Sequence, residues 1–230
     1  MKIACLSDSH GNIYALDKAL QLARSLQVDR IIFMGDAVGY IPGMQCVRRL
    51  AEENIACLKG NHEVMLLSGN YTPEKDTTYL HDKTLQDATP QDMAAIAGWQ
   101  DHSEIDDCVF YHGGPNDPIN QYIYPDADLA VYVPLLKGKR MCVTSHTHRP
   151  FIREEQGILF VNAGSVGQPR DDGRYGAFAV VDTAAHTAQI YQFDITAERA
   201  RAIAEFGPVH ATVQALADRR TETPAGKVLA

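Results

Sequence analysis

Seven side chains in this 230-residue sequence are suited to holding divalent cations: Asp8, His10, Asp36, Asn61, His112, His146 and His148. They combine carboxylate and amide oxygens with imidazoles and include no thiolate, a donor set that suits Mn, Fe, Zn, Co or Ni. Three or four such donors suffice for one catalytic divalent site. Seven serve two cations only if a carboxylate is shared, and Asp36 is the natural bridge. Two cations about 3.5–4 Å apart ionise a bridging water at neutral pH and clamp the oxygens of an in-line phosphoryl displacement. His62, next to Asn61, is then placed beside the pair without having to bind either ion. From there it can protonate a leaving oxygen or hydrogen-bond the transition-state phosphoryl group.

Each of these residues has an ordinary reading when taken alone. Asp8 can cap a helix, Gly35-Asp36 can be a strand-end turn, and His112 can be a packed histidine. Asn61 and Glu63 can open a helix, one as its cap and the other against its dipole. Position sets them apart from that background. Every one follows a short apolar run, namely Ile3–Leu6, Ile31–Met34, Ile55–Leu58, Cys108–Tyr111 or Met141–Val143. Ile31-Ile32-Phe33-Met34 reads as a strand covered on both faces. Strands that point the same way deliver their ends to one edge of a sheet, where α/β folds build their sites.

The elements that must do this positioning are legible in outline. Residues 1–68 alternate strand and helix patterns, which predicts parallel βαβ units. Ile13, Leu16, Leu20 and Ala23 keep helical spacing behind Asn12, and Pro42 fits the first turn of a helix carrying Val47, Leu50 and Ala51. Residues 69–100 read as a helical excursion over the sheet edge, either a lid or a solvated helical pair. Asp106-Asp107 is placed to turn a hairpin, and residues 126–137 show a helix pattern with Pro134 inside it. Short strands follow at Ile158–Asn162, Ala177–Asp182 and Ala188–Phe193, then a helix over 196–206 stopped by Gly207-Pro208. One short helix and a polar tail, frayed from about Arg219, complete residues 208–230. The expected domain spans 1–207, with one sheet half led by 1–112 and the other by 141–193.

Length and a 45% hydrophobic content allow one large core. No apolar run reaches the roughly 18 residues of a membrane span, and the N-terminus enters a strand within three residues, so neither membrane insertion nor a signal peptide is expected. Five cysteines, four of them inside apolar runs, read as free buried thiols of a reducing cytoplasm. A formal net charge of −8 argues against broad electrostatic capture of nucleic acid while leaving a nucleotide substrate open.

Taken together, Asp8-Ser9-His10, Gly35-Asp36-Ala37-Val38-Gly39, Gly60-Asn61-His62-Glu63, His112-Gly113 and His146-Thr147-His148 resemble the calcineurin-like metallophosphoesterases, in the same order and at similar separations. The segments Ser7–Asn12 and Asn162–Arg170 are similar to those of the small bacterial and archaeal phosphodiesterase branch. The resemblance covers roughly residues 1–195 and implies a four-layer αββα sandwich, two mixed sheets flanked by helices, with a two-metal site. It implies that Asp8, His10, Asp36 and His148 hold one metal and that Asp36, Asn61, His112 and His146 hold the other, with His62 as the catalytic histidine. Two positions depart from the family pattern. Ser145 stands where glycine is usual, and Glu63 stands where aspartate is usual, a longer carboxylate that can still orient His62.

Arg170, Arg174 and Arg149, which follows the last ligand, are each able to bind substrate phosphate bidentately, with Arg170 favoured because it closes the Asn162–Arg170 loop. His81, His102, His186 and His210 lie outside the strand-end series. The expected activity is hydrolysis of a phosphodiester, a phosphomonoester or a dinucleoside polyphosphate by a metal-activated hydroxide. A protein phosphatase on the same fold is the alternative, and a non-catalytic scaffold a more distant one that needs missing ligands.

Overall fold

In the computed structural model, which describes residues 1–221 and 225–229, the N-terminal apolar runs become three parallel strands. These are β1 (Lys2–Leu6), β2 (Arg30–Phe33) and β3 (Ala56–Cys57), connected through helices α1 (Ile13–Ser25) and α2 (Gln45–Glu52). The Asn12 side chain accepts a hydrogen bond from the Ala15 N–H at 3.2 Å and so starts α1, whose Ile13, Leu16, Leu20 and Ala23 are all buried. α2 begins three residues after Pro42, buries Val47 and Leu50, and leaves Ala51 exposed. Helix α3 (Asn61–Ser68) opens directly behind Gly60.

The excursion consists of three short helices, α4 (Pro73–Tyr79), α5 (His81–Asp87) and α6 (Pro90–Ala97). Thr72 and Thr89 cap α4 and α6, each followed by proline at the first helical position. Arg48 on α2 reaches Asp87 and Asp92 with its guanidinium, and Ile96 enters the core, so this segment is packed against the domain.

Strands β4 (His102–Ile105), β5 (Cys108–Tyr111), β6 (Met141–Thr144), β7 (Phe151–Glu155) and β8 (Ile158–Asn162) form a second sheet in the order β4-β5-β6-β8-β7. Asp106 and Asp107 turn the β4–β5 hairpin as expected, whereas β7 has no counterpart in the sequence reading. β9 (Tyr175–Asp182) and β10 (Thr187–Asp194) return to the first sheet, with β9 antiparallel beside β1. The halves are therefore interleaved rather than sequential. Alternation alone fixes the face of a strand and not the sheet it joins, which explains the difference.

Helix α7 (Thr196–Phe206) ends at Gly207, whose φ of 106° only glycine adopts readily. α8 (Ala211–Ala217) follows. β11 (Lys227–Leu229) pairs parallel with β10, so that part of the expected tail is a strand, while residues 222–224 and 230 lie outside the described residues. The helix expected over 126–137 is replaced by two single 3-10 turns, Leu129–Val131 and Val133–Leu135, because Pro134 in the second supplies no backbone donor.

Two-residue alternation distributes the core over three layers. Ile3, Cys5, Ile32 and Met34 pack between the sheets against Phe110, Met141, Val143 and Val161. Ala4, Leu6 and Phe33 face the helices, and Val109, Cys142 and Phe160 face Ile123, Leu129 and Leu136 of the 3-10 segment. The result is two mixed sheets flanked by helices. All five cysteines are free, and no helix among the described residues is long and apolar enough to cross a membrane.

Candidate metal centre

The loops that leave β1, β2 and β6 turn sharply. Asp8, His10, Asp36, His146 and His148 all adopt left-handed backbone, with φ of 56°, 48°, 59°, 61° and 57°. Such conformations cost non-glycine residues about 1–3 kcal/mol each and persist only where the surroundings enforce them. Here the surroundings are a backbone lattice. Asp8, His10 and Gly11 donate their N–H groups to the carbonyls of Gly35, Asp36 and Ala37 at 2.9, 3.0 and 2.8 Å, fastening the first loop to the second. Ser165 Oγ and the Gly167 N–H both donate to the Asp8 carbonyl, and Asn162 Nδ2 donates to Ser145 O at 2.7 Å and Thr147 Oγ1 at 3.1 Å. The Asn162–Arg170 segment thus acts as a brace for two of the ligand loops.

Glu63 has a different role from the one its position beside His62 suggests. Its buried carboxylate accepts hydrogen bonds from the N–H groups of Asp36 (2.7 Å), Ala37 (2.8 Å), Val38 (3.3 Å) and Gly60 (2.8 Å). It holds the Asp36 loop and makes no hydrogen bond to His62 among the described residues. Glu63→Ala strands these buried donors and is expected to destabilise the fold by roughly 3–5 kcal/mol, readable as a fall in thermal midpoint. Ser145 keeps ordinary backbone, and its hydroxyl donates to the His112 carbonyl at 3.1 Å, linking the ends of β5 and β6. Gly60 is required for space, since a Cβ there would fall on the Asp36 carboxylate. Gly60→Ala is therefore expected to lower metal content per chain even where the protein still folds.

The donor atoms fall into two groups. One ligand atom each from Asp8, His10, Asp36 and His148 lies within 4.8 Å of the others, and the same holds for Asp36, His112 and His146. Asn61 joins the second group, its Oδ1 3.3 Å from His112 Nε2. The groups share Asp36, whose Oδ2 is 3.4 Å from His112 Nε2 and 3.8 Å from His10 Nε2. His10 Nε2 and His148 Nε2 stand 3.1 Å apart, as do His112 Nε2 and His146 Nδ1. Three of these imidazoles are oriented from behind: Nδ1 of His10, His112 and His148 donates to the carbonyls of Val38 (3.0 Å), Met34 (2.8 Å) and Gln168 (2.5 Å). That arrangement turns the Nε2 lone pairs inward, as ligating histidines require. Asp8 Oδ1 is buried without a hydrogen-bond partner, consistent with a cation as its missing neighbour. The residues fit divalent cations.

The electrostatics favour ionised carboxylates and neutral imidazoles at His10 and His146, with His112 the exception. Burial opposes ionisation of Asp8 and Asp36, yet His148 brings Asp8 down to about 2, and His112 and His62 hold Asp36 well below the usual carboxylate range. Burial pushes His10 and His146 down to about 3, so both are neutral donors. Burial would also lower His112, but the Asp36 carboxylate outweighs it and raises this imidazole to about 9.

The structure brings together all seven sequence-predicted ligands and His62, whose N–H donates to Asp36 Oδ1 at 2.9 Å. Arg170 lines a cleft beside the first group and donates to Tyr40 Oη at 3.3 Å. Arg174 is turned elsewhere, forking onto Asp172 at 3.0 and 2.7 Å and lining a different cleft. Several neighbours escaped the sequence reading. Tyr40 packs edge-on against His10 at 4.6 Å, Tyr122 covers His146 at 3.9 Å, and His81 meets His62. Arg219, also missed, joins Arg170 and the sequence candidate Arg149 in one cleft.

A calcineurin-like phosphoesterase superfamily domain model matches residues 1–186. The chain belongs to that superfamily. Among relatives of this phosphoesterase, the uncharacterized protein MJ0912 of Methanocaldococcus jannaschii is 26% identical over 212 residues, covering 78% of this chain and 82% of that protein. Phosphodiesterase YfcE of Escherichia coli is 24% identical over 185 residues, covering 79% and 88%. A metallophosphoesterase from Sphaerobacter thermophilus superposes with a TM-score of 0.79 at 25% identity, over 94% of this phosphoesterase and 99% of that chain. The hypothetical protein PH1004 from Pyrococcus horikoshii OT3 gives the same TM-score at 18% identity, over 98% and 99%.

Proposed function

We propose that this phosphoesterase is a binuclear hydrolase of small phosphate esters, phosphodiesters foremost. The observation that carries this reading is the pair of donor groups joined through Asp36 at one rim of the inter-sheet layer. Asp8, His10, Asp36 and His148 would hold one cation, and Asp36, Asn61, His112 and His146 the other. Bound there, divalent cations supply Lewis acidity that ionises a water near neutral pH and offsets phosphoryl charge. The protein's own part is orientation. Backbone carbonyls fix three imidazoles, Glu63 fixes the Asp36 loop, and His62 donates a hydrogen bond where charge builds on a substrate oxygen.

The cleft next to the first group supports a small anionic substrate over a protein. It encloses about 430 Å³ and is lined by Arg149, Arg170 and Arg219 together with Tyr40, Tyr79 and Tyr124. No carboxylate lines it among the described residues, so the guanidiniums can meet a phosphate and the rings can face an aromatic group. A dinucleoside polyphosphate meets the same requirements as a diester. Arg170→Ala is expected to raise KM roughly tenfold with little change in kcat, the signature of lost uniform binding, in steady-state assays on a diester series.

The deciding experiment measures hydrolysis of bis-p-nitrophenyl phosphate by metal-stripped protein with and without added Mn²⁺. Activity that appears with the metal and vanishes with a chelator supports the reading. Turnover indifferent to chelation sinks it. A protein that binds no metal at all is instead the scaffold alternative.

A further inference from the structure

Helices α4 and α5 meet at Leu80, where left-handed backbone with φ 56° reverses the chain and directs both Tyr79 and His81 at His62. The Asp76 carboxylate secures this junction by accepting the N–H groups of His81 at 2.6 Å and Asp82 at 3.2 Å. The Tyr40 N–H donates to Tyr79 O at 2.8 Å, tying the junction to the loop behind Asp36. His81 is fully buried, with the rings of Tyr71 and Tyr79 at 4.8 and 5.6 Å. Its Nε2 is 3.0 Å from His62 Nδ1, and its Nδ1 is buried with no hydrogen-bond partner. Gly39 leaves room for the contact, since a Cβ there would fall on His62 Nδ1.

Two ring nitrogens 3.0 Å apart have room for a single proton between them. It has two possible owners. If His62 donates, His81 must carry its own proton on Nδ1, leaving a buried N–H with no acceptor. If His81 donates, Nδ1 keeps only a lone pair. An orphaned buried donor is the costlier and rarer defect, so the proton belongs to His81 Nε2. His62 Nδ1 then accepts, and the remaining proton of His62 sits on Nε2.

We propose that His81 is a positioning residue that locks His62 in its Nε2–H tautomer, which makes the helical excursion part of the catalytic apparatus. This rests on the role given to His62 above. The locked ring presents an N–H to the substrate oxygen, and its hydrogen bond strengthens as negative charge develops there. A ring free to flip or change tautomer would present a lone pair to the substrate in part of the population.

Two measurements test this. In zinc-loaded protein, which is diamagnetic, two-bond ¹H–¹⁵N correlations report the tautomer of each histidine, with His62 assigned from the signals lost in His62→Gln. Protonated Nε2 and bare Nδ1 on His62 are expected, and the reverse tautomer or a mixture overturns the proposal whether or not any His81 variant folds. Kinetically, His81→Leu is expected to lower kcat about 10- to 100-fold, while His81→Gln, whose amide can still donate, recovers most of the loss. In a His62→Ala background, His81→Leu should cost nothing further, because its effect passes through His62. Losses that add in the double variant overturn the proposal alone. A His62→Ala variant as active as the parent overturns the role of His62 and this proposal with it.

Discussion

Asp36→Asn is expected to reduce metal-dependent hydrolysis by more than the roughly 10- to 100-fold typical of removing a group behind a ligand, and to lower bound metal from the two ions per chain of the proposed function to one or none. The size of the effect follows from sharing. Only Asp8 and Asp36 bring negative charge to the two donor groups, and only Asp36 belongs to both. The substitution is nearly isosteric, and asparagine Oδ1 can still accept the His62 N–H that Asp36 accepts at 2.9 Å, so the loop keeps its shape. What is lost is the charge and one oxygen lone-pair direction, and that loss reaches both groups at once. Elemental analysis of purified variants, with circular dichroism to verify the fold, checks this. Asp8→Asn, confined to the first group, serves as the comparison and should lose about half the metal. Asp36→Asn protein that retains two ions and near-parental turnover would show that the groups do not share a ligand.

The convergence of the seven donor residues was legible in the sequence because each is attached to a feature that propensity alone reveals. An apolar run of four or five residues has to become a strand in a chain of this composition, and a donor immediately after it has to stand at the strand's end. Asn12 as the α1 cap and Gly207-Pro208 as the stop of α7 were legible for the same local reason. His81 could not be found this way. It follows no apolar run and belongs to a segment of polar, weakly patterned helices, and its meaning comes from meeting a ring nineteen positions away. Glu63 was misread because adjacency to His62 suggested contact, whereas the roughly 100° step between successive helical residues turns its carboxylate away from that ring and under the Asp36 loop. Arg219 reaches the cleft of Arg149 and Arg170 together with α8 residues Thr212, Val213 and Leu216, a placement that no local pattern encodes. The assignment of β9 to the first sheet was hidden likewise, since Ala177, Ala179 and Val181 alternate equally well against either neighbour.

His62→Gln is expected to lower kcat by about 10²- to 10⁴-fold, the usual contribution of a positioned proton-donating side chain, while bound metal stays at the parental level. The separation of these two readouts is what gives the variant its value. His62 meets the donor set through its backbone N–H, which glutamine retains, and through edge-on packing of its ring on His10 at 4.9 Å, and the ring hydrogen-bonds only to His81 among the described residues. Removing the imidazole therefore keeps every donor side chain and takes away the buried ring that the proposed function puts beside the substrate oxygen. A rate loss accompanied by loss of metal would mean that His62 acts by shaping Asp36 rather than by touching substrate. Retention of most of the turnover would place the hydrogen bond to the developing charge on another group, and the tyrosines and arginines of the adjoining cleft would be the residues to substitute next.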